Sequence, residues 1–334
     1  MIPLNILKSL FDPSTSVGFR LHTQFTSRYV MSINRSFAVP QPLLSFFNSL
    51  SDPAKGIALA LISNALFILV GVIVRELSQT IDIFQILLFR QLVFVTLLMP
   101  SMVSNMDAML NPKMVSMHVW RVTGAFIALY FSFLTVSNIP FADATALGFM
   151  KVLFVAVISR LFLQENVGWA RMATILVGFT GVMLVVQPTL ESESLFYIGT
   201  GLVAALGAAI AVICVRKMTN IESKVVVLAY QAIFVGAVAL VPAIIEWKWP
   251  TGSEFLLLIL VGVISSIGQW FGVTAYKWGE ANVVSNVEYS QMIYSMILGY
   301  LLFAELPNSV ALVGAAVIVL SAIMPFVIKA KKSK

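Results

Sequence analysis

The chain has 334 residues, 59% of them apolar and only 11% charged, with a mean hydropathy of +0.95. A soluble domain carries about 25% charged residues, so this composition excludes a soluble fold, and the formal charge of +6 does not signal a nucleic-acid partner. A single cysteine, Cys214, rules out an intrachain disulfide.

Residues 1–52 stand apart. They are basic and rich in Ser and Thr, with Lys8, Arg20, Arg28 and Arg35 against Asp12 and Asp52. No apolar run here reaches the roughly 18 residues that a membrane span needs. Three readings fit this composition: an organellar targeting peptide, a flexible tail, or an overlong start with Met31 as the true one. Pro42–Leu50 suits a short interfacial helix.

Ten candidate spans follow, near 56–75, 82–101, 119–138, 141–163, 169–187, 196–215, 224–245, 254–276, 281–303 and 309–328. Prolines such as Pro140, Pro188, Pro250 and Pro307 punctuate the connections. The expected fold is therefore an all-α integral membrane protein with ten transmembrane helices. The expected units are an extension at 1–52, a first repeat at 53–188, a second at 189–328 and a basic tail at 329–334.

The repeat is visible at an offset of 140 positions. Thr145 meets Ser285, Phe149 meets Tyr289, Lys151 meets Gln291 and Glu165 meets Glu305. Phe94 meets Phe234 and Tyr130 meets Trp270, while an offset of 141 sets Arg75 on Arg216. Five spans per copy reverse the direction of entry, so the two five-helix repeats are expected to be inverted, with a site between them near the midplane. Small residues at Gly201, Ala205 and Ala209, and at Gly262 and Ser266, permit close helix approach. They could serve a homodimer or internal packing, and ten helices favour the latter.

Orientation follows from charge. With the N-terminus inside, only Arg75 and Lys248 fall outside, and Arg90 and Lys151 lie within spans; the remaining 17 of 21 basic residues, Arg121 among them, are inside. The bias places both termini in the cytoplasm. The C-terminal KAKKSK is a stop-transfer anchor that could also meet anionic lipid.

The polar groups within spans are the candidate site. Lys151 lies ten residues past Phe141, about 15 Å along the helix, and Arg90 eight past Asp82, about 12 Å. An unpaired cation at such depth is costly. Each could seat the anionic group of a solute. Alternatively Lys151 forms a structural pair with Glu288 or Asp143, and Arg90 snorkels outward. Glu288 shares a helical face with Ser285, Met292 and Ser295, with Gln291 at its edge, and could carry protons or neutralise Lys151. Tyr130, Tyr230, Gln231, Trp270, Tyr289 and Gln291 are expected to border one central cavity, and Tyr294 lies at similar depth; ordinary packing is the alternative for each ring. Asp143, Glu165 and Glu305 sit nearer the surfaces, where helix-end roles are expected. Trp120, Trp169, Trp247, Trp249 and Trp278 are placed as interfacial anchors.

LLFRQL at 87–92, IPFADATALGF at 139–149, LFLQENVGWARMATILVGFTGVMLVVQP at 161–188 and FAELP at 303–307 together resemble the EamA-type drug/metabolite transporter superfamily, which is related to solute carrier family 35. The resemblance spans about residues 54–328. It implies ten helices in inverted repeats and secondary transport of a small organic solute, with family cargoes that include amino acids, S-adenosylmethionine, riboflavin and organic anions. The expected function is alternating-access transport of a metabolite with an anionic or zwitterionic group, without a cofactor and with proton or counter-solute coupling. A broad-specificity efflux pump is the alternative, ahead of a receptor or membrane enzyme. No HExxH, P-loop or Ser-His-Asp set is present. A bacterial inner membrane is the expected location, with an organellar one as the alternative given the basic extension.

Overall fold

A computed structural model describes residues 49–162, 169–187, 192–218, 221–278, 287–288 and 290–332. The chain divides into two units, Met1–Ser51 and Asp52–Lys334. The first lies almost wholly outside the described residues, together with the readings made for it.

The second unit is all helical among the described residues. Its helices are α1 (Asp52–Leu77), α2 (Ile83–Ser104), a short α3 (Met106–Leu110), α4 (Val115–Asn138), α5 (Phe141–Gly148), α6 (Met150–Phe162) and α7 (Trp169–Val186). Then come α8 (Ser192–Met218), α9 (Lys224–Ile245), α10 (Gly252–Trp278), α11 (Ser290–Phe303) and α12 (Ser309–Lys332). Six segments are long and apolar enough to cross a membrane, at Ala54–Leu77, Ile83–Ser104, Val115–Asn138, Leu195–Val215, Lys224–Ile245 and Gly252–Ala275. Shorter apolar helices cover Leu176–Val186, Ser290–Phe303 and Ser309–Ser321. The chain is a multi-pass membrane protein.

Helix starts are written locally. Asp82 accepts from the Phe84 amide at 2.8 Å to begin α2, and Ser223 accepts from the Val226 amide at 3.3 Å to begin α9. Such caps satisfy donors that have no carbonyl four residues back. The third expected span starts earlier than its apolar run, at Val115, and this places Arg121 well inside a helix.

Packing respects the repeat. α4 packs on α8 as α1 packs on α10, α6 meets α8 as α1 meets α11, and α2 meets α10 as α4 meets α9. The pairs α2–α9 and α7–α12 each join equivalent helices of the two copies. Exchange of the halves maps these contacts onto one another, whereas α1–α4 and α2–α4 lack a counterpart of similar extent. Backbones meet directly between α4 and α8: a Cβ on Gly124 would stand 2.7 Å from the Gly207 carbonyl oxygen, and one on Gly207 would stand 2.8 Å from that of Gly124. Only glycine lets two backbones meet this way. Gly201 packs against Leu147 and Thr135, Gly262 lies against Val93, and Ala205 and Ala209 are buried. The small-residue faces thus serve packing within the chain.

Two helices are interrupted. α5 ends at Gly148, Phe149 forms a turn, and α6 begins at Met150. The Val152 amide there bonds back only three residues, to Phe149 at 2.9 Å. In the second copy Val287 is helical, Glu288 is a turn, and α11 begins at Ser290, with the Gln291 amide bonding back three residues to Glu288 at 2.9 Å. Glu288 is the mate of Gly148 at the offset of 140, so the described turns of the two copies, at Phe149 and Glu288, fall one register position apart. An apolar helix gains nothing from a break in lipid, and irregular backbone at depth persists where it borders protein or a polar site.

Candidate functional site

The breaks bring together residues from α1, α6 and the second copy. Lys151, in the first turn of α6, places its Nζ 2.5 Å from Glu288 Oε2. Their side chains are 24% and 18% exposed, so the pair is neither dry nor openly solvated. Beside it, Asn64 of α1 donates through Nδ2 to the Val287 carbonyl at 2.8 Å and to Ser290 Oγ at 3.2 Å. Gln291 Nε2 donates to Asn64 Oδ1 at 2.9 Å. Asn64 therefore ties α1 to the start of α11. Nothing in the sequence reading singled it out; its signal was a lone amide in an otherwise apolar span.

A second polar chain runs through unbroken helices. Arg90 Nη2 donates to Gln269 Oε1 at 3.3 Å, Gln269 Nε2 donates to Gln231 Oε1 at 3.1 Å, and Arg121 Nη2 donates to the same oxygen at 2.8 Å. Both arginines are buried. Arg90 does not snorkel, and Arg121 is an interior residue rather than a surface charge. No carboxylate lies within ion-pair distance of either among the described residues.

The remaining candidates occupy separate neighbourhoods. Tyr130 stacks on Phe84 with ring centres 4.5 Å apart. Tyr230 donates its hydroxyl to the Met109 carbonyl at 2.8 Å and lies 4.5 Å from the His118 ring. Trp270 is 42% exposed, with Lys224 Nζ 4.1 Å above its ring. Tyr294 packs on the cluster around Phe141 and Val136. Tyr289 and Glu165 lie outside the described residues.

At the end of the bundle where α4, α7 and α11 finish, Glu305 Oε1 pairs with Arg75 Nη1 at 2.6 Å and Glu305 Oε2 accepts from the Phe141 amide at 2.8 Å. Arg75 also lies over the Phe303 ring at 4.3 Å. Glu305 thus caps the start of α5 while it ties α1 to α11. Next to it a pocket of about 330 Å³ is lined by Asp143, Gln187, Met296, Asn308 and the neighbouring loop residues. No group of three metal-ligating side chains occurs among the described residues.

Comparison with known proteins agrees with this architecture. The EamA-like transporter family matches residues 54–187 and again 195–327. The chain is 28% identical over 273 residues to the pseudopaline exporter of Pseudomonas aeruginosa, covering 80% of this chain and 95% of that one. It is 27% identical to the S-adenosylmethionine uptake transporter of Rickettsia felis (73% and 83% covered). The riboflavin transporter of Vibrio cholerae is 30% identical, with 59% and 66% covered. A solved crystal structure superposes with a TM-score of 0.64 at 16% identity, over 84% of this chain and 100% of that one; it supports the fold alone.

Proposed function

The chain belongs to the EamA-like transporter family, is a transporter rather than an enzyme, and from that membership we propose that it carries a small organic metabolite with an anionic or zwitterionic group by alternating access. The observation that carries this reading is the Lys151–Glu288 pair, which joins the matched helix breaks of the two repeats. A carboxylate on the solute replaces Glu288 as the partner of Lys151, and a cationic group on the solute meets the Glu288 that is released. Such an exchange needs charges that are paired at rest, since an unpaired ion at this depth is costly. It also needs backbone that can shift, which the two turns supply.

In this reading ten spans form two inverted repeats, 53–188 and 189–328, with both termini cytoplasmic. Asn64 and Gln291 border the exchange point, and Tyr289, next to Glu288 in sequence, is proposed to join them. Arg90 and Gln231 contribute a positive potential from the neighbouring network, and Tyr130, Tyr230, Trp270 and Tyr294 border the route in other conformations. With no P-loop in the chain, energy comes from a solute or proton gradient. The membrane is a bacterial inner membrane or, given the extension at 1–52, an organellar one. The relatives carry pseudopaline, S-adenosylmethionine and riboflavin, and their chemistry sets the first panel to test.

Thermal stabilisation of the purified protein by S-adenosylmethionine, riboflavin, amino acids and organic acids checks the reading. A true ligand at 100 times its Kd adds about 2.7 kcal/mol. The expected result is one chemical class that stabilises the wild type and fails on Lys151→Gln. Equal stabilisation by many unrelated apolar compounds would favour the efflux-pump alternative. A full shift retained in Lys151→Gln would reject the site.

A further inference from the structure

The pocket beside Glu305 lies on α5 and α11, two elements that flank the breaks, but outward of them. Asp143 precedes Lys151 by eight residues, about 12 Å along a helix at 1.5 Å per residue. The walls are mostly apolar, from Val185, Val186, Met296 and Ala311, and the ionisable residues that line it are Asp143 and Glu305. Among the described residues no lysine, arginine or histidine lines it.

These two acids are in different situations. The Glu305 charge is offset by Arg75 at 2.6 Å and by the Phe141 amide at 2.8 Å. Lys151, about 12 Å further along the span, is taken by Glu288 at 2.5 Å. The amides of Gln187 and Asn308 satisfy each other at 2.9 and 3.0 Å. Among the described residues the Asp143 carboxylate has no ion pair and no hydrogen bond. The pocket therefore holds one carboxyl group, Asp143, without a protein cation beside it, and the apolar walls strengthen its field whenever it is ionised. Its backbone is set for this shape: Gln187 and Ala304 take left-handed φ of 41° and 53°, a conformation that non-glycine residues adopt rarely.

We propose that this pocket is an outer docking subsite for the cationic group of the solute, with Asp143 as its counter-charge. This deepens the proposed function and rests on it. A solute that meets Asp143 first and the Lys151–Glu288 pair next carries both signs, so the cargo is a zwitterion with an ammonium-like group. The volume of about 330 Å³ lies at the lower end of the range for small-molecule sites, roughly 300–1,000 Å³. It admits such a group and excludes a folded peptide.

A test that needs no transport separates this claim from the reading of Lys151. Met296→Cys is placed in a Cys214→Ser background, and the detergent-solubilised protein is treated with a trimethylammonium-ethyl or a sulfonatoethyl methanethiosulfonate. The local field alters thiol ionisation equally for both reagents, so the ratio of their rates, normalised to a free thiol, reads the charge preference of the pocket. The expected ratio favours the cationic reagent about tenfold, falls toward the free-thiol value in Asp143→Asn, and is retained in the foldable control Asp143→Glu. Choline should slow the cationic reagent in Asp143 protein but not in Asp143→Asn, and potassium acetate should slow it in neither. A normalised ratio near one in the Asp143 protein overturns the proposal. A high ratio that choline affects no more than sodium does also overturns it, because the pocket would then serve small ions or protons rather than a solute.

Discussion

Two ion pairs of nearly equal exposure do different work in this bundle. Arg75 and Glu305 are each 21% exposed, and Lys151 and Glu288 are 24% and 18% exposed. Burial alone does not separate them; the backbone beneath them does. Glu305 uses one oxygen on Arg75 and the other on the Phe141 amide, its own amide bonds to the Gly299 carbonyl at 3.1 Å, and Arg75 is further held over Phe303. That pair is fastened to three helices at their ends. Lys151 and Glu288 stand instead at two interrupted helices, where each flank bonds back three residues rather than four. The difference teaches that a membrane-embedded charge becomes a working part when its partner sits on backbone that can move, and a fastener when it does not.

The sharpest way to break the comparison is to remove the fastener. Glu305→Ala leaves Arg75 without a counter-charge and the Phe141 amide without an acceptor, and should cost about 3 kcal/mol of stability, the lower end for breaking a buried pair. Reversible unfolding in detergent reads this directly, and a loss under roughly 0.5 kcal/mol, the level of a surface pair, would show that the two pairs are alike. A smaller effect is expected for Arg75→Lys. It keeps the charge but loses the planar group over Phe303, for a loss of about 1 kcal/mol, while binding of the stabilising ligand stays unchanged. A change in ligand affinity instead would show that Arg75 takes part in binding as well as in fastening.

Much of the frame was legible before the structure. The offset that pairs Phe149 with Tyr289 was legible, but the helix breaks beside it were not, because GFM at 148–150 carries no proline to mark one. Lys151 with Glu288 was one of two open readings, since depth along the chain put both near the middle. Arg121 was misplaced among the surface charges. A basic residue near the edge of an apolar run looks like an anchor, and only the earlier start of α4 at Val115 and the acceptor on Gln231 draw it inward. The aromatic residues show the same limit. Depth placed Tyr130 and Trp270 alike, yet one stacks on Phe84 and the other lies under Lys224, because the direction a side chain faces depends on neighbours from distant spans.

The central claim is that Lys151 and Glu288 exchange partners with the solute, and the most direct measurement is a double-mutant comparison of Lys151→Met, Glu288→Met and the two combined. Stability and uptake of the compound selected by the thermal panel are measured on each. The account predicts that each single change lowers uptake at least tenfold and costs stability through the charge left unpaired, and that the double variant regains stability but stays inactive. Single variants that lose roughly 3–5 kcal/mol, together with a double variant that regains both stability and uptake, are the signature of a structural pair and would contradict it.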